Sequence, residues 1–146
     1  MLRFLIASFL LAATFGARAE IVDIENEELA SLMSAGVPVI DVRTAPEWEE
    51  TGIVPGSHLL TFFDERGKAD PGAWLGKAKV VAQPAKPVIV ICRSGNRTKA
   101  VSQFLSQQGY GKVYNVKHGI RSWTKEGRQV IPAAPALASC RKAQTC

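Results

Sequence analysis

The sequence predicts an α/β domain built on a mainly parallel sheet, and three observations carry that prediction. Short oily runs rich in β-branched residues alternate with segments of helical periodicity along the chain. Two of those runs, VPVID and VIVIC, are apolar on both faces, as strands buried between helix layers are. At 146 residues and 47% hydrophobic content, the chain is long enough for one such domain and too short for two.

The elements follow in order. Residues 1–19, MLRFLIASFLLAATFGARA, place Arg3 ahead of an apolar stretch and end in Ala17-Arg18-Ala19. This is the pattern of a secretory signal cleaved after Ala19. The alternative of a membrane anchor needs about 20 apolar residues, and this stretch falls short. The protein is therefore expected to be exported, to the periplasm, with no stable membrane insertion after cleavage. EIVDI reads as a strand, and the following residues as a helix carrying Leu29, Leu32 and Met33 toward Gly36. VPVID is a buried strand ending at Asp41. TAPEWEETG is a short helix with Thr44 as N-cap, Pro46 in the first turn and Gly52 at its end.

PGSHLLTF is a turn leading into another strand. Residues 64–86 open as a polar turn and carry a helix through Trp74, Leu75 and Val80 before Pro84 and Pro87. VIVIC is a further buried strand. RTKAVSQFLSQQG is an amphipathic helix with Val101, Phe104 and Leu105 on one face and Gly109 closing it. KVYNV is a strand and GIRSWTKEG a short helix. From Pro132 the composition turns to Ala and Pro, and residues 132–146 read as a tail containing two of the three cysteines.

In parallel α/β sheets the ligand crevice lies beyond the carboxyl ends of the strands. Asp41 and Cys92 each end an oily strand, so both are expected at that edge. Cys92 is followed by Arg93, Ser94, Gly95, Asn96, Arg97 and Thr98. Gly95 suits a positive φ, and a tight strand-to-helix loop turns successive N–H groups inward as an anion nest. Asn96 or Thr98 would cap the following helix, whose unpaired N–H groups and positive dipole end add to the nest. Such a cradle stabilises a thiolate and makes it nucleophilic. Arg93 and Arg97 each offer a fork of donors to an oxyanion. The alternative, a buried cysteine acting as a small hydrophobe, gives no reason for two arginines and a glycine directly after it.

Spacing separates two chemistries. A cysteine phosphatase seats a tetrahedral phosphate in a loop of pattern C-x5-R, whereas Cys92 and Arg97 stand as C-x4-R. The smaller ring suits one atom carried on the cysteine, such as a second sulfur.

These residues resemble the rhodanese family of sulfurtransferases. CRSGNRT is similar to that family's active-site loop. VIDVRTAPEWEETGIVPGSHLL resembles its upstream signature and GYGKVYNVKHGIRSW its closing segment. The domain would span residues 20–131, between the signal and the tail. Two positions depart from the pattern: Ile53 stands where the upstream motif usually has His, and His118 where the closing motif usually has Gly. The resemblance implies a five-stranded parallel sheet with helices on both faces. It also implies transfer of sulfane sulfur through a Cys92 persulfide, from a small donor such as thiosulfate to an acceptor such as cyanide or a thiol, without metal or organic cofactor. A persulfide carrier acting on a partner protein's thiol is the alternative within the same chemistry.

Asp41 is expected to hold Arg43 or the loop, since sulfur transfer to an existing thiolate needs no general base and buried carboxylates are paired. Arg43 is its structural partner on the same reasoning. His58 and His118 share no ligand spacing with Cys or carboxylates, so no metal site is expected. Without Arg3 and Arg18 the formal charge falls from +5 to +3, and the basic residues are scattered, which speaks against nucleic acid as partner. In an oxidising compartment, Cys140 and Cys146 are expected to pair with each other and Cys92 to stay free. A tail cysteine attacking the Cys92 persulfide is the other use of the pair.

Overall fold

A computed structural model describes residues 19–146, and all of the segment read as a signal except Ala19 lies outside the described residues. Among the described residues the strands are β1 (Glu20–Ile24), β2 (Val39–Asp41), β3 (His58–Leu59), β4 (Val88–Ile91) and β5 (Lys112–Val116). They form one parallel sheet in the order β1-β5-β4-β2-β3. Between and after them run α1 (Asn26–Ser34), α2 (Ala45–Thr51), α3 (Pro71–Val81), α4 (Asn96–Gln107), α5 (Gly119–Lys125) and α6 (Ala134–Ala143).

The pleat of β4 explains why the sheet is covered on both sides. Val88, Val90 and Cys92 point to one face and pack with Trp74 and Ala78 of α3 and Val101 and Leu105 of α4. Ile89 and Ile91 point to the other, against Leu29 of α1 and Ile120 and Trp123 of α5. Each of these strand residues is fully buried. At about 1.5–3 kcal/mol per buried aliphatic side chain, burial on both faces holds the central strand, and with it the start of the loop that follows.

Local signals set the helix ends. Thr44 and Glu47 form a reciprocal capping box at the start of α2, and Gly52, at φ 75°, ends it. Asp70 caps α3 by accepting from the Ala73 N–H at 3.1 Å. Trp74 is a core residue whose indole N–H donates to the Leu60 carbonyl at 3.0 Å. Val80, placed with the apolar positions of α3 by the sequence reading, is 76% exposed. It falls on the side of the helix away from Trp74 and Ala78.

The segment read as a tail is structured. Pro135 lies in the first turn of α6, where its missing N–H costs nothing. Ala133 and Leu137 are buried against Trp48, Ile53 and Leu59. An antiparallel bridge between Ile53 and Ile131, with N–H to carbonyl distances of 2.9 Å in both directions, guides the chain into this helix. The single large apolar side chain, Leu137, leaves a faint periodic signal in the sequence. Cys140 and Cys146 form a disulfide across the end of α6, and Cys92 is a free, buried cysteine.

Candidate active site

Cys92 directly follows β4, and its backbone is held by a neighbouring element. The Ile120 and Arg121 N–H groups, in the first turn of α5, donate to the Cys92 and Arg93 carbonyls at 2.9 and 3.1 Å. The start of α5 thereby satisfies its own free donors and fixes the loop's first two residues. Gly119, at φ 61°, permits this approach: a Cβ there would lie 2.5 Å from Cys92 and Arg93 carbonyl atoms. Its neighbour His118 is exposed, 3.7 Å from Glu25.

Gly95 has φ 92° and is itself the N-cap of α4, in place of the Asn96 or Thr98 cap read from the sequence. Its N–H donates to Cys92 Sγ at 3.1 Å. A side chain at this position would run into the Lys117 carbonyl, so the site demands glycine both for conformation and for space. Thr98 is fully buried; its hydroxyl donates to the Gly95 carbonyl at 3.1 Å and lies 3.5 Å from Cys92 Sγ. The N–H groups at the start of α4 have no intrahelical acceptor and carry the helix's positive end toward the same place. Arg93 and Asn96 are exposed at the rim, and Ser94 is half-buried between them. Cys92 is 1% exposed, so the loop and its neighbours cover its sulfur.

Arg97 is engaged by a residue the sequence reading did not single out. Its Nη1 and Nη2 donate to the two carboxylate oxygens of Glu47, at 2.8 and 2.6 Å. The two side chains are 27% and 20% exposed. Arg97 therefore presents to a ligand only the donors this clamp leaves over. The paired guanidinium, partly opposed by burial, holds the Glu47 carboxyl well down, at about 2. The same pairing raises Arg97 further above its ordinary range. Glu47 also accepts from the Thr44 N–H at 3.1 Å, so one carboxylate caps α2 and anchors the loop arginine. The only sequence signal was the Thr44-x-x-Glu47 capping pattern, which points to a helix start and says nothing of a partner 50 positions away.

Asp41 and Arg43 form a second, fully buried ion pair at the same sheet edge. Arg43 Nη2 lies 2.7 Å from Asp41 Oδ2, and its Nε donates to Asp41 Oδ1 at 3.0 Å. The guanidinium further donates to the Thr51 hydroxyl at 2.7 Å and the Gly52 carbonyl at 3.0 Å. Both residues are 0% exposed, and together they tie β2 to the C-terminal end of α2. They make no hydrogen bond to Cys92, but the Asp41 charge contributes to raising Arg97 in the loop. Among the described residues, no group of His, Cys, Asp and Glu is arranged to hold a metal ion.

The arrangement combines a cysteine sulfur, a backbone donor on it, a helix start behind it and an arginine locked in place. It can stabilise one negative charge on the sulfur or on an atom bonded to it. Residues 25–126 match the rhodanese-like domain family. A sulfurtransferase of Allochromatium vinosum is 39% identical over 116 residues, covering 75% of this chain and 94% of its own. The thiosulfate sulfurtransferase GlpE of Pseudomonas savastanoi pv. phaseolicola is 30% identical over 100 residues, covering 68% of this chain and 84% of its own. Among solved structures, a rhodanese-related protein of Thermoplasma volcanium superposes with a TM-score of 0.59 at 31% identity, covering 75% of this chain and 97% of its own. The loop, the sheet that carries it and these relatives lead to one conclusion: this chain belongs to the rhodanese family.

Proposed function

We propose that the chain is a sulfurtransferase that moves sulfane sulfur from thiosulfate or a like donor to a thiophilic acceptor through a Cys92 persulfide. The Cys92 thiolate attacks the outer sulfur of the donor, a new S–S bond forms, and sulfite leaves with the electron pair of the broken S–S bond. Cyanide or a thiolate then attacks the outer sulfur of the persulfide. Thiocyanate or a new persulfide departs, and the electron pair returns to the Cys92 sulfur.

The single observation that carries this reading is the Gly95 N–H placed 3.1 Å from Cys92 Sγ at the start of a helix. A donor there offsets the negative charge of the Cys92 thiolate, the nucleophile of the first step and the leaving group of the second. The named activities of the Allochromatium and Pseudomonas relatives support it. With Cys92 at 1% exposure, a small acceptor ranks ahead of a cysteine on a partner protein, which must bring its backbone to the loop mouth. Export to the periplasm belongs to the same proposal and rests on the signal pattern of residues 1–19.

The test is steady-state thiocyanate formation from thiosulfate and cyanide. Turnover by the wild-type protein, with loss in Cys92→Ser, is expected. Equal residual activity in the two proteins would overturn the proposal.

A further inference from the structure

The Cys140–Cys146 pair lies outside the residues that match the family, and nothing in the proposed chemistry uses it. Its surroundings differ from those of a buried structural crosslink. Both cysteines are only half-buried. Cys140 lines a cleft of about 290 Å³ with Ser57, His58 and Ser139, between α3 and α6. Cys146 lines a second cleft, of about 530 Å³, which shares Leu60 and Lys77 with the first. The disulfide thus sits in the wall between two open clefts and can be approached by solute.

The smaller cleft has no acidic residue in its lining, whereas Asp64 and Asp70 line the larger one. Arg141 and Lys142 follow Cys140 in the last turn of α6, and Lys77 Nζ donates to the Cys146 carbonyl at 2.7 Å. No acidic residue lies between the two cysteines. The two sulfurs are also not equivalent. Cys140 is in the last turn of α6, where the helix's negative end opposes a thiolate. Cys146 lies past the helix, off that negative end, and lines the same cleft as Lys77, whose Nζ holds its backbone oxygen.

We propose that the Cys140–Cys146 disulfide is a thiol-exchange site for low-molecular-weight anionic thiols. The incoming thiolate attacks Cys140 Sγ from the smaller cleft. A bond forms between the thiol's sulfur and Cys140, the Cys140–Cys146 bond breaks, and Cys146 departs as the thiolate beside Lys77. A second thiol molecule then attacks the sulfur of the first, releasing Cys140. The overall exchange oxidises two thiols to one disulfide and reduces the protein disulfide to two thiols. The two protons of the incoming thiols end on Cys140 and Cys146.

The test uses purified protein carrying Cys92→Ser, so that its outcome is independent of the sulfur transfer proposed above. Glutathione is the probe, the reaction is quenched early with N-ethylmaleimide, and the peptides are mapped. Glutathione on Cys140 with maleimide on Cys146 is the expected result. The Lys77→Met variant should react about two- to fivefold more slowly, the size of effect a single surface charge gives. The proposal is overturned by glutathione found on Cys146. It is equally overturned by a native disulfide that resists glutathione under conditions that reduce it in the denatured chain, or by an unchanged rate in Lys77→Met.

Discussion

Replacing Glu47 with glutamine removes one charge from the clamp on Arg97 while keeping the side chain's length and an oxygen for the α2 cap. The magnitude follows from the structure. Two short charge-assisted hydrogen bonds, 2.8 and 2.6 Å, hold the pair. The Glu47 carboxyl sits at about 2 in place of 4.5. At 1.36 kcal/mol per pH unit, that difference sets an upper bound of about 3.4 kcal/mol. Solvent reaches both partners, so the screened value is about 1–2 kcal/mol. Because the folded protein lowers this carboxyl, the stabilisation is complete above about pH 4.5 and is lost as the pH falls from 4.5 toward 2. Urea unfolding of wild type and Glu47→Gln should therefore differ by about 1–2 kcal/mol at pH 7 and converge below pH 3. The freed Arg97 should also loosen the loop and lower kcat/KM for thiosulfate by about three- to tenfold, the rate equivalent of some 0.7–1.4 kcal/mol. A stability difference that is absent at pH 7, or that persists undiminished at pH 2, would refute the clamp.

Other perturbations separate the loop from its supports. Gly95→Ala should cost more than about 2 kcal/mol and abolish sulfur transfer, since it combines a strained φ with a clash against the Lys117 carbonyl; thermal melts and the thiocyanate assay check both. Asp41→Asn leaves Arg43 buried without an anion and should destabilise the fold by about 3–5 kcal/mol in urea titrations. Leu137→Ala should cost about 2–3 kcal/mol by undocking α6, while thiosulfate turnover at temperatures where the protein stays folded should change little.

What could be read from the sequence follows the range of the forces involved. The strands were legible because runs such as Val88–Ile91 are short, rich in β-branched residues and bounded by turn residues, which favours a strand over a helix. The loop was legible because Cys92, Gly95 and Arg97 are neighbours in the chain, so their spacing alone constrains their geometry. The partner of Arg97 was hidden, because Glu47 lies 50 positions away and the Thr44-x-x-Glu47 spacing signals only a helix start. The same holds for the hold of α5 on the loop: the Ile120 and Arg121 amides carry no side-chain signature at all. Helix α6 was missed because an Ala-Pro segment with one leucine is locally ambiguous. Its stability comes from Trp48, Ile53 and Leu59, which are distant in sequence.

The most direct measurement is the intact mass of the protein after incubation with thiosulfate and removal of small molecules. The account predicts a gain of one sulfur atom, discharged by cyanide and absent in Cys92→Ser. A folded wild-type protein that gains no mass, or a Cys92→Ser protein that gains the same mass, would contradict it.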